Sequence, residues 1–130
     1  MAKKEFTYRG KTVSELLLLS QGDFAQLLPS RAKRSLLRGV NKRLNQRMNE
    51  ADKLGLKDKE IRTHNRSAVI TPGMVGRNIG IYSGNQFQKV EIMPEMLGHK
   101  LGELALTRKR LRHGKAGIGA TKSSTAITAR

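Results

Sequence analysis

SGNQFQKVEIMPEMLGHKLGELALTR, residues 83–108, is the stretch around which the rest of the chain is organised. Gly84-Asn85 reads as a two-residue hairpin loop, with glycine supplying a positive φ. It joins a strand at Ile79–Ser83 to one at Gln86–Ile92. In that register Tyr82 faces Phe87 and Ile79 faces Val90, while Ile81 and Ile92 fall to the core. Pro94 cannot donate to a ladder and ends the sheet. Met93, Met96, Leu97, Leu101, Leu104 and Leu106 then supply apolar cover as irregular turns and one short helical turn. Thr107-Arg108 closes the stretch, and a basic tail begins.

Upstream, Ala68-Val69-Ile70-Thr71 reads as a further strand, ended by Pro72-Gly73. Met74-Val75-Gly76 makes a tight apolar crossing to the hairpin. Before the strand, Leu56–Glu60 is a charged loop and Ile61–Ser67 a basic, hydrogen-bonding run. The N-terminal part is helical. Phe6 and Tyr8 alternate with Thr7 and Arg9 in a short extended segment. Thr12 or Ser14 caps a helix favoured by Glu15, with Leu16 to Leu19 as its buried face. Ser20 to Asp23 is the next break, and Phe24, Leu27 and Leu28 follow at helical spacing before Pro29. Ser30 caps a third helix through Leu36 and Leu37, which Gly39 ends. A fourth, Val40 to Lys53, carries Val40, Leu44, Met48 and Ala51 as a narrow apolar stripe. The pattern predicts an α+β fold: a small three-stranded, mostly antiparallel sheet with helices packed on it. It divides into a helical N-terminal extension (1–33), a core (34–107) and an extended basic tail (108–130).

Charge is the strongest compositional fact. Lys and Arg total 26 against 10 Asp and Glu, a formal net charge of +16. A free globular protein so charged repels itself, and a polyanionic partner removes the repulsion. Nucleic acid is the usual one. An anionic membrane would need an amphipathic face or a lipid anchor, and neither is visible. The longest apolar run, Leu16 to Leu19, is far too short to span a bilayer. Met1-Ala2-Lys3-Lys4 leads into polar residues, so no secretory signal is expected. With no cysteine, disulfides, thiolate metal ligation and thiol catalysis are excluded.

The cations are unevenly placed. Between Asp23 and Glu50 there is no acid, yet Arg31, Lys33, Arg34, Arg38, Lys42, Arg43 and Arg47 all fall there. A solvated helix interleaves both signs to gain i,i+4 pairs; unbalanced cations suit phosphates. Arg62, His64, Asn65 and Arg66 combine charge with donors and a stackable imidazole. Gly98-His99-Lys100 places a flexible backbone beside two long donors. Catalysis has no such support. His64, His99 and His113 are scattered, Glu91, Glu95 and Glu103 are unpaired, and no metal-ligand or nucleotide-loop spacing occurs. No enzyme activity, cofactor, metal or homo-oligomer is expected. Aromatic residues are only 4%, which disfavours base-stacking recognition of single strands and favours a structured RNA surface. Composition does not separate that from duplex DNA. A free nucleic-acid binder and an RNA-processing enzyme stand as the alternatives.

A set of spaced motifs narrows the choice. Ser83-Gly84-Asn85, Leu97-Gly98-His99-Lys100-Leu101-Gly102-Glu103-Leu104 and Thr107-Arg108 resemble the signature of the universal small-subunit ribosomal protein nineteen family. Arg34-Ser35-Leu36, Arg62-Thr63, Arg66-Ser67 and Pro72-Gly73-Met74-Val75-Gly76 resemble it too. The likeness spans about residues 34–115. Phe6 to Gly10 and His113 to Thr121 resemble the archaeal and eukaryotic branch, and the bacterial form lacks the N-terminal lobe. Ser83-Gly84 stands where Asn-Gly is common, and Leu104 where Phe is common. The resemblance implies a structural, cytoplasmic component of the small ribosomal subunit that binds ribosomal RNA in the subunit head. It implies small-subunit protein thirteen as a neighbour, and a tail reaching toward the decoding region and transfer RNA. The candidate RNA contacts are Arg34, Arg38, Arg43, Arg62, His64, Asn65, Arg66, Ser67, Arg77, His99, Lys100, Arg108, Lys109, Arg110, Arg112 and Lys115.

Overall fold

A computed structural model describes residues 5–56 and 59–110. The readings made for residues 1–4 and for most of the tail, Arg112, His113 and Lys115 included, lie outside the described residues.

The chain opens with a miniature hairpin, β1 (Thr7–Tyr8) against β2 (Lys11–Thr12). Arg9 and Gly10 both take positive φ, 53° and 79°, which matches a tight turn to the strand twist. The extended segment read at Phe6–Arg9 therefore has a return strand. Helix α1 (Val13–Leu18) begins with a reciprocal cap. The Glu15 amide donates to Thr12 Oγ1, and the Thr12 amide donates to the Glu15 carboxylate at 3.0 Å. Of the four consecutive leucines only Leu16 is fully buried, while Leu17 and Leu18 are exposed. A helix advances about 100° per residue, so four neighbours cannot share one face.

Helix α2 (Gln21–Leu27) is capped by Ser20, whose Oγ accepts from the Asp23 amide at 3.2 Å. Helix α3 (Ser30–Leu37) has Pro29 at the capping position, so Ser30 is its first residue and not its cap. Helix α4 (Lys42–Lys53) starts two residues later than its apolar stripe implies. The delay is a turn around Gly39, at φ 80°, closed by the Lys42 amide on the Gly39 carbonyl at 3.0 Å.

The three-stranded sheet has the order β3 (Ile61–Thr63), β4 (Asn78–Tyr82), β5 (Phe87–Glu91). Strands β4 and β5 pair antiparallel with Tyr82 opposite Phe87 and Ile79 opposite Val90, and Ile81 and Ile92 are buried. Gly84 takes φ 108° in the connecting loop, which the Ser83 amide closes on the Gln86 carbonyl at 2.9 Å. The third strand is a correction. It is Ile61–Thr63, parallel to β4, and not Ala68–Thr71. Ile61 and Thr63 point to the core and Arg62 outward, the alternation of a strand with one covered face.

Ala68, Val69 and Ile70 are wholly buried, and a segment so placed must satisfy every backbone group inside the protein. One side uses the loop after β5. Ile70 N–H donates to the His99 carbonyl at 2.9 Å, Gly98 N–H to Ile70 at 3.2 Å, and Leu101 N–H to Ala68 at 3.0 Å. The other side uses a side chain. Asn41, itself wholly buried, donates Nδ2 to the Val69 carbonyl at 2.6 Å and accepts the Val69 N–H at 3.0 Å. A carboxamide thus replaces a neighbouring strand. The core on which all this rests is one cluster, from Leu16, Phe24 and Leu28 through Leu36 and Leu44 to Ile79, Ile81 and Leu101.

Asn41→Leu keeps the volume but strands both Val69 groups. It should lower the unfolding free energy by about 3 kcal/mol or more, measured by urea denaturation of the whole chain. A loss below about 0.5 kcal/mol would show that the clamp is dispensable.

Candidate nucleic-acid interface

Two sorts of cation emerge from the list of candidate contacts. The first sort is built into the fold. Arg66 is half-buried, and its Nη1 donates to the Tyr82 carbonyl at 2.7 Å. Its Nη2 donates to the Gly102 carbonyl at 2.8 Å and the Ala105 carbonyl at 2.5 Å. The guanidinium fork joins the end of β4 to helix α5 (Leu101–Leu104), a task that needs several donors in one plane. Arg77 clamps the last turns of α4, with Nη2 on both Asp52 carboxylate oxygens at 2.7 and 2.6 Å and Nε on the Gly73 carbonyl at 3.2 Å. Asn65 donates Nδ2 to the Val40 carbonyl at 2.6 Å and accepts the Ser67 hydroxyl at 2.9 Å.

The second sort faces solvent. Arg34 and Arg38 are exposed on and just after α3, with Arg31 one turn before them; Lys42, Arg43 and Arg47 are exposed on α4. Arg62 is exposed on β3, and Arg108, Lys109 and Arg110 at the end of the described chain. Spacing of three and four residues keeps the α3 and α4 cations in rows. Arg47 is also a tether, donating Nη1 to the Arg62 carbonyl at 2.6 Å. It thereby holds α4 beside the free edge of β3.

Two clefts gather these groups. One, of about 310 Å³, lies between the start of α4 and β3 and is lined by Lys42, Arg43, Arg47, Thr63, His64 and Asn65. The other, of about 320 Å³, lies between α3 and the Gly98 loop and is lined by Tyr8, Arg31, Gly98, His99, Lys100 and Glu103. Arg31, Lys42 and Arg47 join these clefts without having stood among the candidate contacts. Their signal was the acid-free run from Asp23 to Glu50, which contains all three. His64 also meets the two rings that the hairpin register sets opposite each other, Tyr82 at 4.4 Å and Phe87 at 5.1 Å.

The Gly98-His99-Lys100 loop is not a flexible backbone. Gly98 sits at φ 81°, and a Cβ there would lie 2.7 Å from the Tyr8 hydroxyl and 3.1 Å from Leu28. The glycine lets the N-terminal hairpin and α2 close on the body. His99 Nδ1 lies 2.6 Å from Glu103 Oε2, one helical turn on. That hydrogen bond lowers the Glu103 pKa from its ordinary value; partial burial opposes it, and the Lys100 backbone adds to the lowering. Among the described residues no cluster of His, Asp or Glu is arranged to hold a metal.

Arg66→Ala should cost about 2 kcal/mol or more in chemical denaturation, because three carbonyls lose a charged donor. Arg34→Gln should fall within about 0.5 kcal/mol of the parent. The Glu103 carboxyl is depressed on folding, so its contribution is present above the ordinary carboxylate pKa and is lost as the pH falls through the folded value. Glu103→Gln should lower the neutral plateau of a stability–pH profile slightly and flatten its acid limb, so that variant and parent converge at low pH.

Known proteins bear the same pattern. The family model described as ribosomal protein S19 matches residues 31–113. The small ribosomal subunit protein uS19 of Methanococcoides burtonii is 46% identical over 125 residues, covering 94% of this chain and 87% of that protein. The matched segment includes nearly all of α3, with α4, the sheet and the Gly98 loop, and the archaeal relative extends the likeness to almost the whole chain. With the family model over well over half of the chain and a relative of this identity along nearly all of it, the chain belongs to the ribosomal protein S19 family, in its archaeal branch.

Proposed function

We propose that the chain is a structural constituent of the small ribosomal subunit and binds ribosomal RNA there, in the cytoplasm, without enzymatic activity. The observation that carries this reading is the exposed cationic surface of α3 and the first part of α4, which is acid-free as far as Asn49, continued onto β3 and bordered by two cationic clefts. Exposed arginines on rigid helices suit fixed phosphates, since little ordering remains to be done on binding. The contact set we propose is Arg34, Arg38, Arg43, Arg62, His64, Ser67, His99, Lys100 and Arg108–Arg110, joined by Arg31, Lys42 and Arg47. Arg66, Arg77 and Asn65 serve chiefly to hold that surface in shape, because their side chains are already engaged by the fold.

From the family resemblance we propose a finer arrangement: a position in the subunit head beside small-subunit protein thirteen, with the tail from Arg108, including Lys109, Arg110, Arg112 and Lys115, directed toward the decoding region and transfer RNA. Support for the tail comes from its sequence, which is acid-free from Leu104 to Arg130.

Endogenous protein should co-sediment with small subunits after a moderate-salt wash; its absence from them would refute the assignment. With the purified chain and transcribed small-subunit ribosomal RNA, log affinity should fall linearly with log salt. Arg34→Gln, Arg38→Gln and Arg43→Gln should each flatten the slope by roughly 0.7–0.9. Equal affinity for duplex DNA at equal salt would favour a free nucleic-acid binder instead.

A further inference from the structure

The outer face of the sheet offers chemistry that the cationic helices lack. Strand alternation places Arg62, Gly80 and Lys89 in one row across it and Tyr82 opposite Phe87. His64, just beyond β3, completes a three-ring cluster. Its ring centre is 4.4 Å from Tyr82 and 5.1 Å from Phe87, and Tyr82 and Phe87 are 5.2 Å apart. The Arg62 guanidinium carbon lies 5.4 Å from the Phe87 ring centre.

Core packing does not account for these rings. The chain has two tyrosines and three phenylalanines. Phe24 is in the core, and Phe6 and Tyr8 pack against it, but Tyr82 and Phe87 do not. They remain half-exposed, and His64 and Arg62 are exposed. Glu60, the acid that pairs with Arg62, is 3.4 Å from its Nε and lies over Gly80, away from the rings.

His64 has a second neighbourhood. It lines the cleft of about 310 Å³ that also holds Lys42, Arg43 and Arg47, with no acid among the described lining residues. The imidazole is thus a shared wall between a ring cluster and a cationic cleft. A nucleotide presents the matching pair, a flat π-face and a phosphate, joined through one sugar. Unpaired bases stack on aromatic and guanidinium planes, and phosphates take Arg and Lys.

We propose that this junction is a nucleotide subsite. An unpaired RNA base lies against the His64–Tyr82–Phe87 cluster, and its phosphate enters the cleft of Lys42, Arg43 and Arg47. Recognition there is of an unstacked base in a folded RNA, with little preference among bases because every base has a π-face. The subsite rests on the RNA-binding reading given above and adds a stacking contact to it, one that the low aromatic content had disfavoured for the recognition of single strands.

The test uses the full chain and transcribed small-subunit ribosomal RNA, with affinity read across a salt series. Phe87→Leu should weaken binding roughly tenfold with an unchanged salt slope, since no phosphate contact is lost. Phe87→Tyr should restore the affinity. Tyrosine emission provides a readout that does not depend on how well Phe87→Leu folds. The chain has no tryptophan, so in a Tyr8→Phe background Tyr82 is the sole intrinsic reporter, and stacking should quench it on saturation with RNA. If the parent chain does not bind the RNA, the RNA-binding reading itself fails. If it binds but Tyr82 emission is unmoved and Phe87→Leu matches the parent, the subsite is rejected and RNA binding stands. If Phe87→Leu binds RNA normally but enters subunits poorly, the rings hold a protein neighbour, and the subsite is again rejected.

Discussion

The carboxamide of Asn41 closing on the Val69 backbone is the constraint on which the rest of the structure depends. Residues 68–70 run through the middle of the protein with no adjacent strand on that side. Buried peptide groups must be paired, and here one residue supplies a donor and an acceptor at the spacing of a strand. The same contact fixes where α4 begins, because Asn41 is the residue just before it. From that starting point Leu44 and Met48 reach the core, and Arg43 and Arg47 are turned to solvent.

Two further ties extend the frame outward. Arg66 gathers the end of β4 and both ends of the α5 region through carbonyls. Gly98 removes a side chain where Tyr8 and Leu28 come down on the loop. Each joins the Gly98–Glu103 stretch to something distant in sequence. That stretch is therefore both a junction of the fold and one wall of a cationic cleft. Keeping the two roles in one segment means that the groups lining the cleft inherit the rigidity of the core. Such rigidity matters for affinity, because long side chains on a fixed frame lose less freedom on binding.

A chain of charge +16 must manage its own repulsion before it meets an anion. The described cations divide the work. Arg66 and Arg77 are spent on carbonyls and a carboxylate inside the protein, while those on α3, α4 and β3 are spread over helices and clefts. The ring cluster lies at the border of the two groups. Arg66 holds the Tyr82 backbone from within, and Arg62 covers the Phe87 ring from without. The rings are in this way anchored by one arginine and flanked by another.

Local patterns carried a good deal by themselves. Alternation with a Gly84-Asn85 loop determined the β4–β5 register, because a slip of one residue would turn Ile79 and Ile81 away from the core. Thr12, Ser20, Pro29 and Gly39 marked helix boundaries to within two residues, because capping chemistry acts over a single turn. The acid-free run, the spaced motifs and the net charge determined the family and the class of partner. Tertiary structure alone decided the rest. Ala68–Thr71 read as a strand and Ile61–Ser67 as a basic, hydrogen-bonding run, and only the distant partner, Asn41 for one and β4 for the other, settles which holds the strand. An exposed arginine and a buried one look alike in sequence. Whether Arg66 meets phosphate or carbonyl depends on Gly102 and Ala105, more than thirty residues away, brought near by a core that no local window contains.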